Sequence, residues 1–224
     1  MLLPRVFWDR TSKKFFDPRD VAAEPYNLPP EFQISNRDLI SLSGAPKGSK
    51  VSCSPTGETI NVLVENDMLF SEIFSFTLFK RADAKWQGHM HLVKLLPKFR
   101  QRGIFTRMFL SCARIASALR IYRFTSHGLH IDASESATNE QWAGVHASLA
   151  LGWDSDLSSE QREVLSDSLR DAATLQELLA LPGGREWWKS NPSSLDLYFD
   201  TTPGSNCVRR LDAYTKSKGI RISQ

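Results

Sequence analysis

The residues with the most chemical content lie together in Leu95-Leu96-Pro97-Lys98-Phe99-Arg100-Gln101-Arg102-Gly103-Ile104-Phe105-Thr106. An apolar stretch stops at Pro97, a basic turn follows, and an apolar segment of helical period starts after a glycine. The first amides of a helix lack an internal partner and carry the positive end of the helix dipole. Such a terminus binds phosphate. Gly103 allows close approach of the backbone, and Arg100 and Arg102 add charge suited to a pyrophosphate.

Titratable side chains stand nearby. Glu72, His89, His91 and Asp132 are candidates for general acid–base work. His89 and His91 share a strand face with Val93 and Leu95, because side chains alternate along a strand. Glu72 opens a neighbouring strand, and Asp132 ends a later one. Cys53, Cys112 and Cys207 form no pair motif and no metal-ligand spacing, so neither a disulfide framework nor a metal is expected.

These groups need elements to hold them. Ile60–Val64 is a short apolar strand. Ser71–Lys80 alternates, with Phe74, Phe76 and Leu78 on one face, and Ala82–Lys85 turns it into Trp86–Leu96. The period then changes. Ile104, Met108, Cys112, Ile115 and Leu119 make one helical face, with Arg107, Arg114 and Arg120 on the other side. Gly128–Ala133 reads as a short buried strand, and Asn139–Leu151 as a helix stopped by Gly152. Upstream, Asn36–Leu42 fits a short helix and Gly44–Gly57 a loop. Downstream, Ser158-x-x-Gln161 and Thr174-x-x-Glu177 fit capping boxes. Leu195–Asp200 follows as a strand and Ser205–Lys216 as a closing helix. Trp187-Trp188 fits helix packing better than a pocket wall. The order predicts an α/β (α+β) fold with a mixed, mostly antiparallel central sheet flanked by helices.

Bulk properties narrow the class. The chain has 224 residues, 41% hydrophobic and 24% charged, enough for one large domain or two small ones with a real core. A net charge of +3 gives no reason to invoke nucleic acid. No run approaches the roughly 18 apolar residues of a membrane span, and MLLPRVFWDR is a poor signal peptide. A cytoplasmic protein without nucleic-acid or membrane partners is expected.

The stretch Arg100–Phe105 resembles the acyl-CoA-binding signature of the GNAT acetyltransferase superfamily, Arg/Gln-x-x-Gly-x-Gly/Ala after a hydrophobic-x-Pro strand end. Arg100 and Gly103 match it, and Phe105 departs from it. Leu151-Gly152-Trp153 is similar to the Leu-Gly-Phe that closes the family's fourth helix. The resemblance covers about residues 60–153. It implies an acyl-CoA N-acyltransferase fold with a core at 59–153, a divergent N-terminal segment at 1–58, and a helical insertion with a late strand and helix at 154–224. It implies acetyl-CoA as cosubstrate, with its pantetheine arm along Val93, Lys94 and Leu95 and its pyrophosphate on Arg100, Gln101, Arg102, Gly103, Ile104, Phe105 and Thr106. Asn139 matches an asparagine that touches the pantetheine. Ser148 stands where the family's tyrosine protonates the leaving thiolate, which leaves water or Tyr198 as substitute donors, and nothing in the sequence places Tyr198 there. The implied activity is direct acetyl transfer to a small-molecule or peptide amine, and a homodimer is compatible with it. The alternative is a catalytically degenerate domain that binds acyl-CoA or a protein partner.

Overall fold

The structure, a computed structural model, describes residues 9–24, 28, 32, 34–91, 93–128, 147–191 and 195–220. Seven strands form one sheet in chain order. They are β1 (Ala22–Ala23), β2 (Lys50–Thr56), β3 (Thr59–Glu65), β4 (Phe74–Lys80), β5 (Trp86–Met90), β6 (Ile121–Gly128) and β7 (Leu195–Asp200). β1 with β2 and β5 with β6 are parallel, and the other four neighbours are antiparallel. The sheet is therefore mixed and mostly antiparallel, as the element order predicts.

The alternation read in Ser71–Lys80 decides which face is buried. Phe74, Phe76 and Leu78 are buried, as are Ile60, Val62 and Val64 opposite them in register. This face meets α3 (Ile104–Ala118), whose Ile104, Met108, Phe109 and Cys112 are buried in the same core. α2 (Asn36–Ser43) packs beside α3, and the Ser111 hydroxyl donates to Ser41 O at 2.8 Å. α1 (Arg10–Phe15) meets the N-terminal end of α3. The opposite face is polar and half-exposed. One register row across it reads Asn61, Thr77, His89, Thr125, Tyr198.

Two expectations fail. Gly44–Gly57 is not a loop throughout, because Lys50–Thr56 is strand β2, paired to β3 along its length. Its weak alternation and Pro55 hide it, since the pairing is supplied by the neighbour. The strand after α3 is under way at Ile121, well before the expected start at Gly128. Arg120 takes a left-handed conformation at φ 58°, which ends the helix and starts the strand at once with no loop between. Residues 129–133 lie outside the described residues, as do 139–146 of the expected helix. Residues 147–150 are helical, and Gly152 follows with φ 93°.

The C-terminal third returns to the sheet. Both capping boxes form, at Ser158 before α4 (Ser159–Glu163) and at Thr174 before α5 (Leu175–Ala180). α6 (Gly184–Ser190) carries Trp188 into the core, and α7 (Asn206–Ser217), capped by Ser205, follows β7. Asp154 pairs with Tyr198 through backbone bonds of 2.9 and 2.8 Å, on the edge of β7 away from β6. The last strand is thus inserted between β6 and an earlier segment of chain. Gln176 is the pin of this region. Its side-chain amide donates to Leu149 O at 2.7 Å and Trp153 O at 2.8 Å, all buried. Gln176→Leu removes the side-chain donor from Trp153 O and leaves Leu149 O with the Gly152 N–H alone, and it is expected to cost about 1–3 kcal/mol in a denaturant melt.

Candidate functional site

The sheet forks at its fifth junction, between β5 and β6. Pairing between β5 and β6 runs from Trp86↔Ile121 to His89↔Thr125. Beyond that point, among the described residues, β6 pairs with β7 alone, through Ser126↔Leu197, His127↔Asp196 and Gly128↔Leu195. The chain leaving β5 stays with the other side. His91 N–H donates to Ser75 O at 3.1 Å, Ser71 N–H to Lys94 O at 2.9 Å, and Leu96 N–H to Leu69 O at 2.9 Å. Peptide groups alternate in direction along an extended chain. With Lys94 O and Leu96 N–H bonded toward Leu69–Ser71, Leu95 turns its peptide groups away from that segment, toward the edge β6 has left. Leu95 O there accepts the Arg100 Nε–H at 3.1 Å.

The basic turn follows directly. Pro97–Phe99 is one turn of 3-10 helix, and Gln101 and Gly103 both take left-handed φ, 59° and 67°. Left-handed residues in a tight turn roll successive N–H groups toward one concave side. Gly103 is the N-cap of α3 and offers no side chain to its amides. The first intrahelical bond is Arg107 N–H to Gly103 O at 3.3 Å, so the amides of Ile104, Phe105 and Thr106 precede the ladder. Ile104 and Thr106 are buried, which leaves their backbone as the part able to meet a ligand. Phe105 is half-buried and stacks on Phe109 at 6.2 Å between centroids, so the bulky departure from the signature leans on the helix core. Arg102 lies 5.8 Å from the centre of the Phe99 ring.

Arg107 corrects one sequence expectation. It is buried rather than on a solvated face, and it braces the turn from beneath. Its guanidinium donates to Gly103 O at 2.9 Å and to Ser12 Oγ at 2.8 Å, and lies 2.8 Å from Asp9 Oδ1. Asp9 also caps α1 by accepting from Thr11 and Ser12 N–H. The divergent N-terminal segment therefore holds the start of α3.

At the fork apex stand three imidazoles. The His89 ring lies 5.1 Å from that of His91 and 4.9 Å from that of His127. His89 Nδ1 is 3.0 Å from Thr125 Oγ1, and His127 Nδ1 is 2.9 Å from Asp196 Oδ1. Burial holds His89 below the ordinary histidine value of 6.5, and the neighbouring His91 and His127 push the same way, with Asp196 opposing. A neutral imidazole at pH 7 is the protonation state a base needs.

Other expected members fall elsewhere. Glu72 does not open a strand. It sits in the bend before β4, exposed and ion-paired to Lys94 Nζ at 2.5 Å. Asp132 and Asn139 lie outside the described residues. Ser148 is in the last helical turn, where its carbonyl accepts Leu151 and Trp153 N–H; among the described residues no hydrogen bond joins its hydroxyl to the histidines. Tyr198 donates to Asp156 Oδ1 at 3.3 Å, and burial with the charges of Asp154 and Asp156 raises its pKa well above the usual phenol value. It is a poor acid. Thr125, His127 and Asp196 are not legible as site residues in the sequence, because no turn signal separates α3 from the strand that carries the first two. The alternation Arg123, Thr125, His127 in IYRFTSHG is the pattern that marks them.

Among the described residues no group of three His, Cys, Asp or Glu is arranged to hold a metal ion, and no helix is long and apolar enough to cross a membrane. No family model matches the chain, and no curated protein matches it.

Proposed function

We propose that the chain is an acetyl-CoA-dependent N-acetyltransferase of the acyl-CoA N-acyltransferase fold, moving an acetyl group to an amine by direct transfer. The observation that carries this is the fork. A parallel strand pair that parts at His89 and Thr125 leaves the peptide groups of Leu95 turned toward a gap, and an amide-rich turn follows within a few residues. A pantetheine arm carries amides of its own and can complete a forsaken strand edge in the manner of an added strand. Its pyrophosphate fits the amides of Gln101–Thr106 at the start of α3. The inserted β7 and the Asp154–Tyr198 bridge fit the same fold type.

His89 is the base of this scheme. Its Nε2 first takes a proton from the ammonium form of the acceptor, and the freed lone pair on nitrogen then forms the bond to the thioester carbonyl carbon. The carbon–sulfur bond then breaks, and the sulfur leaves as a thiol once protonated. The nitrogen gives up two protons in all, one to sulfur and one to solvent. Ser148 and the Asp156-bonded Tyr198 are weak sources for the sulfur's proton, which favours His89 itself or water as the carrier.

Release of free thiol from acetyl-CoA across an amine panel tests the proposal. Amine-dependent release supports it. Tight CoA binding without turnover on any amine gives the degenerate binding domain instead. The turn has its own test. A Cβ on Gly103 would lie 2.6 Å from Arg107 Nη1, at a φ that side chains resist. Gly103→Ala is expected to weaken CoA about tenfold, from ~1–2 kcal/mol of strain and lost bracing, in calorimetric titration.

A further inference from the structure

We infer that Thr125 is a positioning residue that fixes the tautomer of His89, with the proton on Nδ1 and the lone pair on Nε2. The chemistry at Nε2 rests on the acetyltransferase reading; the tautomer does not. Among the described residues Thr125 Oγ1 has two hydrogen-bond contacts, His89 Nδ1 at 3.0 Å and Gly88 O at 3.4 Å. A hydroxyl has one proton to donate and can also accept. Gly88 O can only accept. If Nδ1 carries the proton, it donates to Thr125 Oγ1 and the hydroxyl donates to Gly88 O, so both contacts are hydrogen bonds. If Nε2 carries it, the hydroxyl must turn to Nδ1, and Gly88 O loses its contact. Only the first arrangement uses both.

The register makes this more than a chance pair. His89 and Thr125 are the last residues of β5 and β6 that face each other before the sheet forks. Thr125 therefore holds the imidazole where the gap begins and leaves Nε2 on the far side of the ring. The other charged or titratable groups around the ring come from each neighbouring element: His91 beyond β5, His127 on β6 and Asp196 on β7. None of these is hydrogen-bonded to His89 Nδ1 among the described residues, and His127 is occupied by Asp196.

Two substitutions separate positioning from packing. Thr125→Val keeps the branched shape that suits a strand and removes the hydroxyl. Thr125→Ser keeps the hydroxyl and removes the methyl. The tautomer is read by nitrogen-15 NMR of histidine-labelled protein, which needs no turnover. Wild type and Thr125→Ser are expected to show Nδ1–H at His89, and Thr125→Val a mixture of tautomers. In the thiol-release assay Thr125→Val is expected to lower kcat about tenfold, with the KM for acetyl-CoA unchanged, and Thr125→Ser to stay within about twofold of wild type. An Nε2–H tautomer in wild type overturns the inference, as does Thr125→Val with wild-type tautomer and kcat. Absence of turnover in every variant overturns the acetyltransferase proposal alone, and the NMR result still decides the role of Thr125.

Discussion

His89→Ala is expected to lower kcat by about 10²–10⁴-fold, the usual contribution of a positioned general base. CoA binding should survive, because the amides of the basic turn belong to other residues. The effect has a pH signature. The neutral imidazole is the working form, so kcat rises as pH increases through the His89 pKa, which lies below 6.5. The plateau is therefore reached before neutral pH. Replacing His91 and His127 together by Asn removes two repelling neighbours and should move this acid limb upward. Asp196→Asn removes the one group that favours the charged ring and should move it downward. The sign for stability follows from the same shift. The unfolded chain binds a proton at this position more readily than the folded one, so folding stability rises with pH across the window between the folded value and 6.5. A limb above 6.5, or one insensitive to these substitutions, would remove His89 from the role of base.

Asp9→Ala is expected to destabilise the fold by about 3–5 kcal/mol, the cost of leaving a buried charge without its partner. Arg107 is 6% exposed, and Asp9 supplies the carboxylate that balances it. The substitution also removes the N-cap of α1. With roughly 2–4 °C of Tm per kcal/mol for a chain of this size, the melt should fall by about 10 °C. Asp9→Asn keeps the cap and loses the charge, so a smaller loss is expected. Acidification should copy the effect. Burial raises the Asp9 carboxyl, but hydrogen bonds from Arg107 and Ser12 outweigh it and hold it below 3.8. Its stabilisation is present above 3.8 and disappears as pH falls through the lower folded value. An unchanged melt in Asp9→Ala would show that α1 does not brace the turn.

How much of this was legible in the sequence differs by element. β7 falls on Leu195–Asp200 as read, and α3 and both capping boxes appear where apolar spacing and cap residues put them. Those signals are local, carried by side chains within a few residues. β2 was missed because its strand state comes from pairing with β3, which is a distant partner choice. β6 was misplaced because the left-handed Arg120 removes the loop that usually separates helix from strand. That shift concealed Thr125 and His127, while His89 and His91, on a clearly alternating strand, were found. Glu72 was drawn into the site by its position before a strand, and its ion pair with Lys94 keeps it outside. Arg107 looked solvated by helical spacing; only the fold brings α1 over it.

The most direct test of the central claim is calorimetric titration of the full chain with CoA, paired with a melt at saturation. Binding at one site per chain is predicted, with a rise in Tm; a ligand at about 100 times its Kd adds about 2.7 kcal/mol to the folded state. No heat and no shift in Tm at millimolar CoA would contradict the acyl-CoA site and, with it, the transferase proposed for the forked sheet.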